Sequence, residues 1–290
     1  MQEPVSERNS PVTVHRPAGA AVPVVFDSPH SGRDYPADFA PLVPVQDLHG
    51  YEDRLVDALL ADAPEHGVVL VTAGFPRAYV DPNRAADDLD RHVAGADWTD
   101  PIAPTVYSER GLGLVFRTAL DGSPIYAGPL ARADLTHRIE RLWRPYHDAL
   151  EAELARAQAR WGAVWHVDWH SMRPVGDALA PDPGEVRADF VLGDLGGTSA
   201  EAAFSDHVEA ALAAMGYSVA RNRPFQGGYI TARHGRPAEG RHSVQIEINR
   251  ALYLDMETLA LSPGAEALKR DLAAFARGLA AWAAARVTAS

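Results

Sequence analysis

Short apolar runs bounded by Pro, Gly and Ser alternate along this chain with longer stretches of helical spacing. That alternation predicts an α/β domain with a mainly parallel or mixed sheet flanked by helices, and with ligands outside the carboxyl ends of the strands. Pro23 to Phe26 (PVVF) reads as a strand that runs into Asp27-Ser28-Pro29-His30-Ser31-Gly32, so His30 is expected just past a strand end. Asp47 to Ala63 sets Leu48, Leu55, Leu59 and Leu60 at near-helical spacing, with Glu52 and Asp53 in its early turns. Gly67 to Thr72 (GVVLVT) predicts a second buried strand and Arg77 to Asp81 (RAYVD) a third, ending at Pro82-Asn83-Arg84. Residues 85 to 130 carry Gly111, Gly113, Asp121-Gly122 and several prolines, and predict loops or short hairpins. Leu135 to Trp161 is the longest helical pattern, which Pro145 should kink or divide. Ala163 to Val167 is then a strand leading into Asp168-Trp169-His170-Ser171. Beyond it come a strand at Phe190 to Gly193, a helix over Ser199 to Met215, a short strand at Ser218 to Ala220, an alternating strand at Ser243 to Ile248 and an Ala-rich helix from Gly264 to Arg286.

No repeat or linker divides this pattern, so the expected organisation is an N-terminal extension, 1–22, followed by a single catalytic domain, 23–290. With 39 acidic and 27 basic residues the net charge is −12, which argues against nucleic acid as a partner because phosphate contacts need a clustered basic face. The only lysine is Lys269, which removes lysine-based chemistry, whereas the many arginines suit carboxylate recognition. Cysteine is absent, so disulfides, thiol nucleophiles and Cys-held metals are excluded together, and any metal must be held by His and carboxylate. The polar start, Met1 to Arg16, has no apolar signal region, and no stretch approaches the length of a membrane span. A cytoplasmic protein is expected.

A hydrolytic zinc site takes three protein ligands from His and carboxylate and keeps a position open. His30 and His170, both expected at strand ends, can supply two, and Glu52 or Asp53 of the first helix the third. Zinc brings the pKa of water toward about 7, and a neighbouring carboxylate can take the proton and pass it to a leaving amine. Glu247 suits that role: it lies between Ile246 and Ile248, where a charged side chain is costly unless it faces a polar site. Each residue also has a structural reading. Either His can brace its loop, Glu247 can pair with Arg250, Asp53 can favour a helix N-terminus, and Asp168 can cap its loop or orient His170. Gly111-Leu112-Gly113 lacks the rest of a dinucleotide fingerprint, Gly193 to Gly197 lacks the Lys of a P-loop, and no Gly-x-Ser-x-Gly elbow occurs.

Six segments in order, Ser28-Pro29-His30-Ser31-Gly32, Tyr79-Val80-Asp81-Pro82-Asn83-Arg84, Trp143-Arg144-Pro145-Tyr146-His147, Asp168-Trp169-His170-Ser171-Met172, Gly227-Gly228-Tyr229-Ile230-Thr231 and Gln245-Ile246-Glu247-Ile248, resemble the N-formylglutamate amidohydrolase (N-formylglutamate deformylase) family over nearly the whole chain. The resemblance implies a phosphorylase/hydrolase-like fold related to zinc carboxypeptidases, and hydrolysis of N-formyl-L-glutamate to formate and glutamate, a step of histidine degradation. It also implies His30, Asp53 and His170 as ligands of one zinc ion, with Asp53 rather than Glu52 aligned on the family's acid, and Glu247 as general acid/base. A substrate with two carboxylates calls for guanidinium groups, for which Arg84, inside a matching segment, and Arg250 come first and Arg117 behind them. Tyr229 can line the pocket or simply pack there.

The segment after Arg84, Ala-Ala-Asp-Asp-Leu-Asp, and the loop-rich stretch from Trp98 to Gly113 depart from the histidine-degradation enzymes, so the substrate side-chain pocket is expected to differ and a similar N-acyl amino acid stands beside N-formyl-L-glutamate as candidate substrate. The alternatives are a metallopeptidase, carboxypeptidase or cell-wall amidase on the same metal site, and a non-catalytic amino-acid-binding protein. His and carboxylate also accept iron, cobalt or manganese. Neither charge nor the Ala-rich C-terminal helix decides the oligomeric state.

Overall fold

The structure, a computed structural model, describes residues 10–177 and 180–287. Its centre is a seven-stranded sheet in the order β1-β3-β2-β4-β7-β5-β6, comprising β1 (Val12–His15), β2 (Val24–Ser28), β3 (Val69–Ala73), β4 (Val164–Met172), β5 (Phe190–Gly193), β6 (Val219–Arg221) and β7 (Arg241–Asn249). The inner strands β3, β2, β4 and β7 run parallel, while β1 pairs antiparallel with β3 and β5 antiparallel with β7. The sheet is therefore mixed, in a single domain. The stretch read as an extension, 1–22, contributes β1 to the sheet edge, and its first nine residues lie outside the described residues, as do 288–290 of the expected domain.

Strand alternation sorts the two faces. Val24 and Phe26 of β2, Trp165, Val167 and Trp169 of β4, and Val244, Ile246 and Ile248 of β7 form one apolar face. It is covered by α1 (Val56–Leu59), α5 (Ala202–Ala214) and α7 (Ala265–Ala284), with Phe26, Trp169 and Phe275 in edge and stacked contacts. The opposite face is apolar under β2 and β3, where α3 (Arg132–Arg138) and α4 (Arg144–Trp161) lie with the irregular stretch 75–130, which holds only the short α2 (Val106–Glu109). Along β4 and β7 this face turns polar: His166, Asp168 and His170 stand beside Ser243, Gln245 and Glu247. Buried polar side chains at such density need partners or a function.

Three expected elements differ. The helix expected over 47–63 is broken into a 3-10 stretch, Val45–Tyr51, and α1, because the chain turns sharply at Glu52 to Leu55, with Leu55 at φ 66°. Arg77 to Asp81 is a turn rather than a strand; the Asp81 N–H donates to Leu114 O instead of to a ladder. The strand expected to stop at Val167 runs on to Met172, so His170 lies inside β4 and not beyond it. Pro145 does divide the long helical pattern: one π-turn, Ile139–Trp143, joins α3 to α4 and takes up the slack left by the missing N–H.

The topology opens a crevice where the site sits. From β2 the chain proceeds to β3 on one side, and from β4 it proceeds to β5 on the far side of β7, so the carboxyl ends of β2 and β4 face a switch point. The short α6 (Tyr229–His234) lies against β7 near this end of the polar face.

Candidate metal and catalytic centre

His30 leaves the end of β2 in a loop held from several directions. The Ser31 hydroxyl contacts Ser28 Oγ, donates to Asp53 O and accepts from the Asp57 N–H, while the Asp53 N–H donates to His30 O. These bonds fasten the His30 loop to the turn that carries Asp53. Gly32 is required at this place, since an added Cβ would stand 2.1 Å from Phe75 O.

Both imidazoles aim Nδ1 at one carboxylate oxygen: Asp53 Oδ2 lies 3.2 Å from His30 Nδ1 and 2.9 Å from His170 Nδ1. All three side chains are buried, and one donor atom from each falls within 4.8 Å of the others. The far ring nitrogens meet other acids. His30 Nε2 lies 2.7 Å from Asp81 Oδ1, and His170 Nε2 lies 2.8 Å from Asp168 Oδ1 and 3.2 Å from the Asn83 amide nitrogen. With its Nε2 proton turned to Asp81, His30 presents a lone pair at Nδ1 toward the Asp53 oxygen. Two imidazole nitrogens and a carboxylate oxygen at that spacing need positive charge between them, as protons or as a cation, and neither buried oxygen of Asp168 meets an aligned donor. The donor set therefore fits a divalent cation with His, His and carboxylate ligands.

Electrostatics agree with the geometry. Burial opposes charge on His170, but the Asp168 carboxylate, then Asp53 and Glu247, hold its pKa well above the ordinary value. Burial likewise opposes the Asp53 charge, yet its contacts with His170 and His30 hold its pKa well below the usual carboxylate range. The site draws in positive charge, as protons or as a cation.

Glu247 is the register partner of His170 on the neighbouring parallel strand and shares its face. Its Oε1 accepts from Gln245 Nε2 at 2.9 Å. Burial, with the Asp53 charge, raises it to about 7 against His170, Arg77 and Arg250. A carboxyl poised there can both take and give a proton at neutral pH. Glu52, the sequence neighbour of Asp53, is buried elsewhere, accepting from Tyr35 OH and Arg54 Nη1.

The arginines divide differently from expectation. Arg250 donates to Ser171 Oγ, Gly50 O and Asp53 Oδ1, so its guanidinium fixes Asp53 as well as standing in the centre. Arg84 donates to Leu112 O and Asn83 O and stacks on Tyr107, with its side chain 13 % exposed. Arg117 pairs with Asp90 and lines a hollow of about 270 Å3 with Arg91, His92 and Tyr126; no contact joins it to the three donors among the described residues. Tyr229 packs on Trp143 and His147 and its hydroxyl accepts from Arg233, so its segment reaches the site only through neighbours. Gly228 lies against Asn83, and the Ile230 N–H donates to Asn83 Oδ1, which turns the Asn83 amide nitrogen to His170.

Sequence reasoning missed Arg77, Asp81 and Asn83 as parts of the centre. Arg77 Nε and Nη2 both donate to Asp81 Oδ2, behind the contact of Asp81 with His30. The signal available was the polar run Asp81-Pro82-Asn83-Arg84 directly after the apolar Ala78-Tyr79-Val80.

A sequence model of the N-formylglutamate amidohydrolase family matches residues 22–254, a span that contains every residue of this centre. The N-formylglutamate deformylase of Pseudomonas aeruginosa is 32% identical over 242 residues, covering 81% of this chain and 83% of that protein. The N-formylglutamate deformylase of Pseudomonas putida is 29% identical over 248 residues, covering 81% and 82%. The crystal structure of N-formylglutamate amidohydrolase from Ralstonia eutropha JMP134 superposes with a TM-score of 0.89 at 42% identity, covering 94% of this chain and 98% of that one.

Proposed function

The chain belongs to the N-formylglutamate amidohydrolase family, and we propose that it hydrolyses N-formyl-L-glutamate, or a similar N-acyl amino acid, to formate and L-glutamate. His30, Asp53 and His170 hold one divalent cation in this reading, zinc by the character of the donors. Such a cation supplies the charge that polarises an amide carbonyl and makes water acidic near neutral pH. The observation that carries the proposal is the convergence of those three donors at the crevice between β2 and β4, with Glu247 beside His170.

Glu247 accepts the proton of the attacking water as the new C–O bond forms at the formyl carbon, and returns it to the amide nitrogen as the C–N bond breaks. Asp81 keeps the His30 imidazole turned so that Nδ1 faces the reaction space, and the Asn83 amide and the Asp168 charge stand at the far nitrogen of His170. Arg250 and Ser171 hold Asp53 from its other oxygen. Arg84 receives a substrate carboxylate with the edge of its guanidinium left without an acceptor among the described residues. The same reading places the activity in the cytoplasm on a freely diffusing substrate, as in histidine degradation; no described helix is long and apolar enough to cross a membrane.

Formate release from N-formyl-L-glutamate, compared with N-acetyl-L-glutamate and a dipeptide, tests the assignment. The expected result is turnover of the formyl compound in preference to the others. Preference for the dipeptide would move the activity to peptide hydrolysis.

A further inference from the structure

The centre contains one arginine that none of the steps above uses. Arg77 is anchored at one edge only, through Nε at 3.2 Å and Nη2 at 2.7 Å to Asp81 Oδ2. Its Nη1 donates to no protein acceptor among the described residues, and the side chain keeps 18 % exposure. The aromatic ring of Phe116 lies 5.4 Å from its guanidinium carbon and supports it on one face. Burial works against this cation, but the charges of Asp81, Asp53 and Glu247 hold its pKa above the ordinary value, which puts it within electrostatic reach of both the donor cluster and the general base.

We infer that Arg77 is a specificity-determining residue, which binds a carboxylate of the substrate through the free edge of its guanidinium. The inference rests on the hydrolase reading above and names the group that recognises its substrate. Two features favour a carboxylate over the reacting carbonyl. Arg77 joins the centre on the Nε2 side of His30, through Asp81, rather than on the Nδ1 side where the donors converge. Its fixed edge also leaves the outer pair of N–H groups parallel and pre-oriented, the arrangement that matches a carboxylate in two bonds. Arg250, by contrast, has its donors engaged by Ser171, Gly50 and Asp53.

The test uses Arg77→Lys and Arg77→Met in the full chain. Lysine keeps a cation against Asp81 while losing the fork, so it preserves the fold if the methionine variant does not; thermal melting checks both. Rates are measured on N-formyl-L-glutamate, on N-formyl-L-glutamine, which lacks the side-chain carboxylate, and on N-formyl-L-isoglutamine, which lacks the α-carboxylate. Calorimetric binding of L-glutamate gives a readout that needs no turnover. The expected result is a rise in KM and in the glutamate Kd of about 10- to 100-fold, with one of the two amides nearly insensitive to the substitution; that amide identifies the carboxylate held. Equal losses on all three compounds, carried by kcat and accompanied by loss of bound metal, would show that Arg77 acts only through Asp81 and would overturn the inference. Failure of the wild type to release formate would defeat the activity reading instead, and glutamate binding would still decide the role of Arg77.

Discussion

Asp53 holds the centre together at the scale of single side chains, because one of its oxygens faces both imidazoles while the other accepts from Arg250 and Ser171. Asp53→Asn replaces an anion by an amide whose NH2 cannot serve as a donor of electron pairs, so bound metal should fall well below one per chain after dialysis, as elemental analysis would read. Metal retained at full occupancy would remove Asp53 from the ligand set. Glu247→Gln is expected to behave differently: metal content unchanged, formate release lower by about 10²- to 10⁴-fold. Activity close to wild type in that variant would mean that another group carries the proton. Both histidines were legible in the sequence because Pro, Ser and Gly mark the loop around His30 and a polar segment directly follows the apolar run before His170. Asp53 was selected over Glu52 only by resemblance, since both sit in one helical pattern and their divergence depends on the turn at Leu55. Arg77 and Asn83 were not legible, because each reaches the centre through a contact that no local pattern encodes: Asp81 for one, Ile230 and His170 for the other.

Among the elements, the loop after β2 is the one on which the site's geometry depends most. Gly32→Ala would drive a Cβ against the backbone at Phe75 and Gly74, neither of which can move without disturbing β3. The expected cost is about 1–3 kcal/mol or more, seen as a lower melting temperature, together with reduced activity because His30 is two residues away. An unchanged melting temperature would mean that the loop is looser than this packing requires. Strands were read well where apolar alternation is strong, as at Ser243 to Ile248, and β4 was cut short because Asp168 and His170 interrupt the apolar run that signals a strand. Those interruptions are the polar face of the sheet. The helix expected over 47–63 failed for the complementary reason: its leucines keep a helical spacing, but Ser31 and His30 draw the backbone at Asp53 and Asp57 into hydrogen bonds that a continuous helix would not allow. Pro145 was correctly read as an interruption, although the π-turn that accommodates it has no separate sequence signature.

Over the whole molecule, sensitivity to acid follows from a histidine buried without charge. His147 Nε2–H donates to Pro82 O and the ring lies against Trp143, Tyr229 and His234; burial, with the charges of His234 and Arg233, lowers its pKa to about 3. The unfolded chain binds this proton near pH 6.5 and the folded chain does not until about pH 3, so stability drops as pH falls through that window. At pH 5 the loss attributable to His147 is about 2 kcal/mol, from one and a half units at 1.36 kcal/mol each. His147→Gln, which keeps a hydrogen-bonding group for Pro82, should therefore lose less melting temperature between pH 7.5 and pH 5 than the wild type. Equal losses would place the acid sensitivity elsewhere. The architecture itself, strands and helices in alternation around a mixed sheet, followed from periodicity alone, whereas the strand order that opens the crevice between β2 and β4 depends on long-range pairing. The central claim joins that crevice to a metal-dependent amide hydrolysis. Its most direct test is metal content and formate release from N-formyl-L-glutamate measured on one preparation, before and after a chelator and again after zinc is restored. The account predicts about one metal per chain, loss of activity in step with the metal, and recovery on its return. A metal-free protein that releases formate at the full rate would contradict it.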